Sequence, residues 1–447
     1  MTRHPLAIVG AWLVTLSAFV FLFGFLLDLF GLHHNPYFGL VFFLIVPIAF
    51  VAGLLLIPLG IFFEHRRRRK GLAPRRFPRI DLNDPIHRRA FVLVLVLTFA
   101  NVLIVSLAAY RGVEYMDSTQ FCGQVCHTVM EPEFVAHRDG PHSRVACVAC
   151  HIGSGAPWFV KAKIDGTRQV VAVMLNSYSR PIASPVHDLR PARDTCEQCH
   201  WPEKFHGEKV EIIPEFNNDE KSTDASTRLN LHVGGGPPQI NSAAGIHWHT
   251  NAQVEVTYVT TDGERQTIPF VRMKDPEGNV HEYRAKDVTD AQIAGGEHRT
   301  MDCVDCHNRP AHAFFATPER AVDAAIARGA IPTVLPFARR ETVSALKVKY
   351  SDRPTAERGI AQQLRMFYSS HDAAVAAPGP DVDRLVRTAQ FLYGTSVFPA
   401  MNVTWGTHVN NLGHVDAPGC FRCHDDEHKS ADGRVIKQDC ELCHTIQ

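Results

Sequence analysis

The chain has 447 residues, with 46 Lys and Arg balanced by 46 Asp and Glu, so its formal net charge is zero. That length suits two or three domains, and the neutral balance argues against a nucleic-acid binder, whose affinity comes mainly from phosphate neutralisation. Its 12 cysteines are too few for a chain knitted together by disulfides, so their positions matter more than their number.

Three apolar runs, at about residues 6–32, 37–63 and 90–109, each reach the roughly 20 residues a helix needs to cross a bilayer. The first is too long for a cleavable leader, and no small-residue cleavage site separates it from the second. Residues 64–89 carry ten Lys and Arg against three acids, which predicts a loop retained in the cytoplasm. The amino terminus is then cytoplasmic, the hairpin "GLHHN" faces outward, and the third run delivers everything after Tyr110 to the outside. Asp28, near the outward end of the first run, is a functional candidate because acids inside spans rarely serve structure alone. His33 and His34 follow it. His4, His65 and His87 fall at the inner ends of the spans, so no membrane-embedded b-type haem is expected.

The reading divides the chain into an anchor (1–110), a cysteine- and histidine-rich domain (111–210) and a carboxy-terminal domain (211–447). Residues 111–210 show little periodicity. Residues 253–285 alternate around an Asp-Gly and a second Gly turn, predicting a small antiparallel β-meander. Residues 318–394 carry helical patterns, such as "PERAVDAAIARG" with Pro near its start and Gly at its end.

The cysteines fall into six motifs: "CGQVCH" with Cys122, Cys126 and His127; "CVACH" with Cys147, Cys150 and His151; "CEQCH" with Cys196, Cys199 and His200; "CVDCH" with Cys303, Cys306 and His307; "CFRCH" with Cys420, Cys423 and His424; and "CELCH" with Cys440, Cys443 and His444. No cysteine is left over. Two thiols add across the vinyl groups of one haem while the adjacent histidine reaches the iron. Zinc ribbons and redox dithiols also use C-x-x-C, but neither needs a histidine directly after the second cysteine. Six covalent c-type haems are therefore expected. The predicted fold is a mainly α anchor of three transmembrane helices plus a haem-organised, irregular and α multihaem cytochrome c domain containing the β-meander.

Each iron also needs a second axial ligand, and 14 histidines lie outside the motifs after Tyr110. His142 precedes the second motif by five residues, His312 follows the fourth, and His414 and His428 bracket the fifth. "GIHWH" is read as an extended segment with His247 and His249 on one face. These six are the candidate distal histidines.

The third apolar run, the first motif with Met130 just beyond it, "GPHSRVACVACH", "WFVKAKIDGTRQV" and "RPARDTCEQCHWPEKF" resemble the NapC/NirT family of membrane-anchored multihaem quinol dehydrogenases over about residues 95–210. "GIHWH", "MDCVDCHNRP" and "GCFRCHDDEH" are similar to its longer inner-membrane members from metal-reducing and related bacteria, extending the resemblance nearly to the carboxy terminus. The resemblance implies oxidation of menaquinol or ubiquinol and delivery of electrons to a periplasmic cytochrome, a reductase or an outer-membrane conduit. It also implicates Met130 in ligation of the first haem, and Lys161, Lys163 and Asp165 in the quinol site. The chain departs from the usual pattern in its three spans, its six motifs and its stretched first motif.

In that first motif three residues separate the cysteines, and Gly123 is expected to absorb the extra one through backbone angles closed to other residues. Tilting of His127 would leave an axial position to Met130 or an exchangeable group; the alternative is ordinary His127 ligation with Met130 packed in the core. Glu131 and Glu133 join the candidates for receiving quinol protons. Two other readings stay open: a terminal reductase with an open haem, and a non-catalytic relay subunit of a larger respiratory complex; association into a homo-oligomer is also open.

Overall fold

The computed structural model describes residues 4–29, 46–70, 82–125, 127–152, 156–186, 191–205, 207–234, 245–251, 253–370 and 379–447. The "GLHHN" hairpin, Cys126, His187, His206, His371 and the middle of the basic loop lie outside these residues, as do the side chains of Asp28 and His127. The chain forms two compact units, residues 1–125 and 126–447.

The first unit is built on α1 (Pro5–Leu29), α2 (Val46–Arg69) and α3 (Pro85–Met116), all long and apolar enough to cross a membrane. Small residues let α1 and α2 approach closely. A Cβ on Gly10 would lie 2.7 Å from the Gly53 carbonyl oxygen, and one on Gly60 2.7 Å from the Ala7 amide nitrogen. Such contacts are the usual basis of helix association in lipid, where no hydrophobic drive separates helix from tail. Asp84 caps α3 by accepting the Ile86 amide at 2.8 Å, with Pro85 in the first turn.

Residues Phe121–Val125 form a π-helical turn with Gly123 buried inside it. The extra residue of the first motif is thus taken up by widening the helix, as an insertion in an α-helix commonly is. Gly123 keeps a right-handed conformation, contrary to the expectation from its sequence.

The second unit begins with α4 (His127–Arg138), followed by α5 (Ala156–Met174). The latter is a 19-residue helix in a stretch that read as aperiodic; Gly166 and its β-branched residues weaken the local helical signal. The meander consists of β3 (Glu255–Thr260), β4 (Phe270–Lys274) and β5 (Val280–Arg284), and β6 (Glu297–Thr300) extends it to the order β5-β4-β3-β6. Its Asp-Gly turn is a longer loop, in which the Asp262 carboxylate accepts the amides of Glu264, Gln266 and Thr267. A second sheet, of order β1-β2-β7, joins β1 (Glu208–Ile213) and β2 (Thr227–His232) to β7 (His444–Ile446), with Leu229 opposite Ile446.

Four helices, α6 (Pro318–Ala327), α7 (Ala338–Lys347), α8 (Arg353–Ser370) and α9 (Gly379–Ser396), enclose a core in which Val322, Leu335, Leu346, Ile360, Leu364 and Leu385 are essentially inaccessible to solvent. Arg339 crosses this core to Asp323, its Nε and Nη2 donating to the two carboxylate oxygens at 2.6 and 2.9 Å.

Candidate functional site

Five motif histidines each face a histidine from elsewhere in the chain. Ring centroids lie 6.2 Å apart for His151 and His312, 6.1 Å for His200 and His142, and 6.3 Å for His307 and His247. For His424 and His249 the separation is 5.8 Å, and for His444 and His414 it is 6.0 Å. Two imidazoles on opposite sides of one metal ion, bonded at about 2.0 Å, place their centroids roughly 6 Å apart. The spacing fits a shared iron.

Backbone carbonyls orient the rings. Nδ1 of His142 donates to Pro310 O at 2.9 Å, His312 to Glu133 O at 2.9 Å, His247 to Val233 O at 3.1 Å, His249 to Ile246 O at 2.9 Å and His424 to Lys437 O at 2.9 Å. A carbonyl can only accept, so Nδ1 carries the proton and Nε2 keeps a lone pair for a metal. Burial holds His247, His249 and His312 below the usual imidazole pKa, favouring the neutral form that binds metal.

His247 and His249 share a 3-10 turn, Ile246–Thr250, and not the extended segment their alternation suggested. Gly245, at φ 105°, turns the chain into it, and Trp248 N bonds back to Gly245 O at 3.1 Å. Residues two apart on such a turn point in different directions, so one short loop serves His307 and His424.

His428 is not brought to a motif histidine among the described ring pairs. Only 1% exposed, it places Nδ1 2.9 Å from the Asp425 carboxylate and Nε2 2.8 Å from Ile268 O, so both nitrogens face acceptors and neither is left for a metal. Its position corrects its candidacy as a ligand. Of the histidines not singled out, His137 lies 6.1 Å from His312 with Nε2 bonded to Val145 O, and His408 is buried between Phe314 and Glu133. Burial, with Arg309 nearby, lowers the His408 pKa to about 4.

Met130 is half-buried on α4. Glu131 lies 3.7 Å from Arg353, while Glu133 is drawn inside against Arg309 at 3.3 Å. Lys161, Lys163 and Asp165 all lie on α5; Lys161 and Asp165 share a face, and Lys161 Nζ sits 5.4 Å from the Trp158 ring centre.

Sulfurs of successive motifs are neighbours. Cys196 lies within electrostatic reach of both Cys303 and Cys150. Cys306 and Cys443 both lie near Cys420. Beneath the fourth motif, Tyr258 donates to Asp305 at 2.5 Å, Arg299 donates to both, and burial together with Asp305 pushes the Tyr258 phenol up.

Residues 85–185 match the family model described as NapC/NirT cytochrome c family, N-terminal region. The chain is also 39% identical over 449 residues to the cytochrome c-type protein ImcH of Geobacter sulfurreducens, an alignment covering 99% of this chain and 88% of that protein. The chain belongs to the NapC/NirT cytochrome c family. No solved structure matches it. Membership makes it an electron-transfer protein carrying covalently bound haem, and its three apolar helices agree with the membrane anchoring of NapC/NirT proteins. The donor sets suit that cofactor: cysteine pairs for thioethers, with imidazoles opposed at the spacing of two axial ligands.

Proposed function

We propose that this protein is an inner-membrane hexahaem cytochrome c that oxidises a quinol, menaquinol or ubiquinol, and passes its electrons to a periplasmic acceptor. Each haem, when bound, supplies a one-electron carrier. The observation that carries the reading is the set of five opposed histidine pairs, one for each motif after the first. His312, His142, His247, His249 and His414 would serve as distal ligands to the haems of motifs two to six in that order. His428 holds the loop behind the fifth motif.

With a haem bound, two imidazoles at each of those five sites would leave no open coordination position, which favours electron transfer over substrate reduction there. The nearness of motif cysteines to one another from the second motif to the sixth supports a path in sequence order over those five, ending at His444. The first motif directly follows α3, the helix nearest in sequence to the quinol-bearing membrane. Quinol oxidation to quinone yields two electrons and two protons; Lys161, Lys163, Asp165, Glu131 and Asp28 are the groups proposed to bind the quinol head or take up the protons. The basic loop 64–89 supports a cytoplasmic amino terminus and a periplasmic second unit.

The test is rapid mixing of the detergent-solubilised protein with a reduced menaquinol analogue while haem absorption is followed. Fast reduction that a quinol-site inhibitor blocks supports the dehydrogenase. Reduction by dithionite but not by quinol refutes it and leaves a relay subunit fed by a partner.

A further inference from the structure

We propose that Arg422, inside "CFRCH", sets the spacing and raises the reduction potentials of the fourth and fifth haems as a pair; this rests on reading both motifs as haem sites. Its guanidinium donates to three backbone carbonyls: Nε to Gly419 O at 2.8 Å, Nη1 to Arg265 O at 2.8 Å and Nη2 to Asp305 O at 2.7 Å. Asp305 lies inside the fourth motif, "CVDCH". A variable residue of one motif therefore grips the backbone of another more than a hundred residues earlier.

Carbonyls fix the guanidinium without cancelling its charge. The Asp305 carboxylate is itself engaged by Tyr258, Arg299 and the Asp302 amide. Arg422 lies between Cys420 and Cys423 in the chain, and its bond to Asp305 O holds it at the residue next to Cys306. A fixed cation beside the sulfurs attaching two redox groups favours the reduced, less positive form of both, and partial burial limits screening. On the distal side the two motifs are joined again, because His247 and His249 share one turn. Phe421, the other variable residue of the fifth motif, stacks on His414 at 4.2 Å, so the motif also reaches toward the sixth. Lysine could keep the charge, but one ammonium cannot reproduce a planar fork that serves three carbonyls.

The experiment compares the full-length wild type, R422Q and R422K in detergent, using haem-peptide mass analysis, spectroelectrochemical titration and electron paramagnetic resonance. With peptides 303–307 and 420–424 both carrying haem, R422Q lowers the potentials of two haems and leaves four in place. R422K restores those potentials while the magnetic interaction between the two haems stays altered. Unchanged potentials in R422Q, or potentials in R422K as low as in R422Q, overturn the proposal. Should R422Q fail to accumulate, R422K decides: near-native potentials with altered magnetic interaction support the assignment, and any other result overturns it. Wild-type peptides without haem would instead overturn the underlying haem reading.

Discussion

The His247 and His307 imidazoles lie parallel, with centroids 6.3 Å and planes 6° apart, whereas those of His249 and His424 stand at 85°. Parallel axial imidazoles split the iron d orbitals and give a rhombic resonance signal; perpendicular ones leave the orbitals nearly degenerate and give a strongly anisotropic signal. His247→Ala should delete a rhombic component and His249→Ala an anisotropic one, each adding one high-spin haem. Haem content should remain at wild-type level in both, because the thioether bonds are untouched.

Met130→Ala should change the absorption and potential of one haem and leave the others unaltered. A thioether ligand raises haem potential relative to a second histidine, so its loss should lower that potential. An unchanged redox titration would return Met130 to a packing role beside Val129, itself part of the apolar cluster there.

Acid should loosen the loop behind the fifth motif. Burial pushes the Asp425 carboxyl upward, but the His428 imidazole and the amides of Glu427 and His428 outweigh it and hold the pKa below the ordinary value. A depressed carboxyl contributes stability above its unfolded pKa, about 3.9, and loses it as pH falls through the lower folded value. Thermal unfolding across that window should show a smaller acid-induced loss in Asp425→Asn. At neutral pH His428→Gln should cost about 1–3 kcal/mol while the haem spectra stay native.

Asp323→Ala leaves the buried Arg339 with Asn218 as a neutral partner but no carboxylate, and loss of a buried charge partner costs up to about 3–5 kcal/mol. Unfolding of the α6–α9 bundle should shift accordingly to lower urea concentration. Haem resonance signals that stay intact at urea concentrations where the bundle has unfolded would show that the bundle is dispensable to ligation.

Gly53→Leu should separate α1 from α2, since a Cβ there already meets Val14 Cγ2 at 2.8 Å. Overpacking of this kind costs about 1–3 kcal/mol. The readout is loss of detergent-resistant thermal stability, with the haem potentials unchanged.

The three apolar helices were legible because an unbroken apolar run of about 20 residues needs no period to be read, and the meander because its strands alternate locally. His142 and His312 stood out by lying five residues from a motif, but not the motif each faces: His142 precedes the second and faces His200 of the third, and His312 follows the fourth and faces His151 of the second. The β1-β2-β7 sheet was not legible, because β7 is three residues long and comes from the far end of the chain. The turn at Ile246–Thr250 escaped because a five-residue 3-10 element has no period of its own, and alternation in "GIHWH" imitates a strand. His428 was misread for another reason. Proximity to a motif says nothing about where a ring's two nitrogens point, and only the placement of Asp425 and Ile268 reveals that both are taken.

The opposed histidines are far apart along the chain: residue 151 meets 312, and 249 meets 424, while 414 and 444 are close. A metal held between each pair ties a knot in the connectivity, much as a cross-link would. Closing a larger ring costs more chain entropy, though only logarithmically. The wide rings joining residues 151 to 312 and 249 to 424 are therefore the ones whose ligation would take most freedom from the unfolded chain.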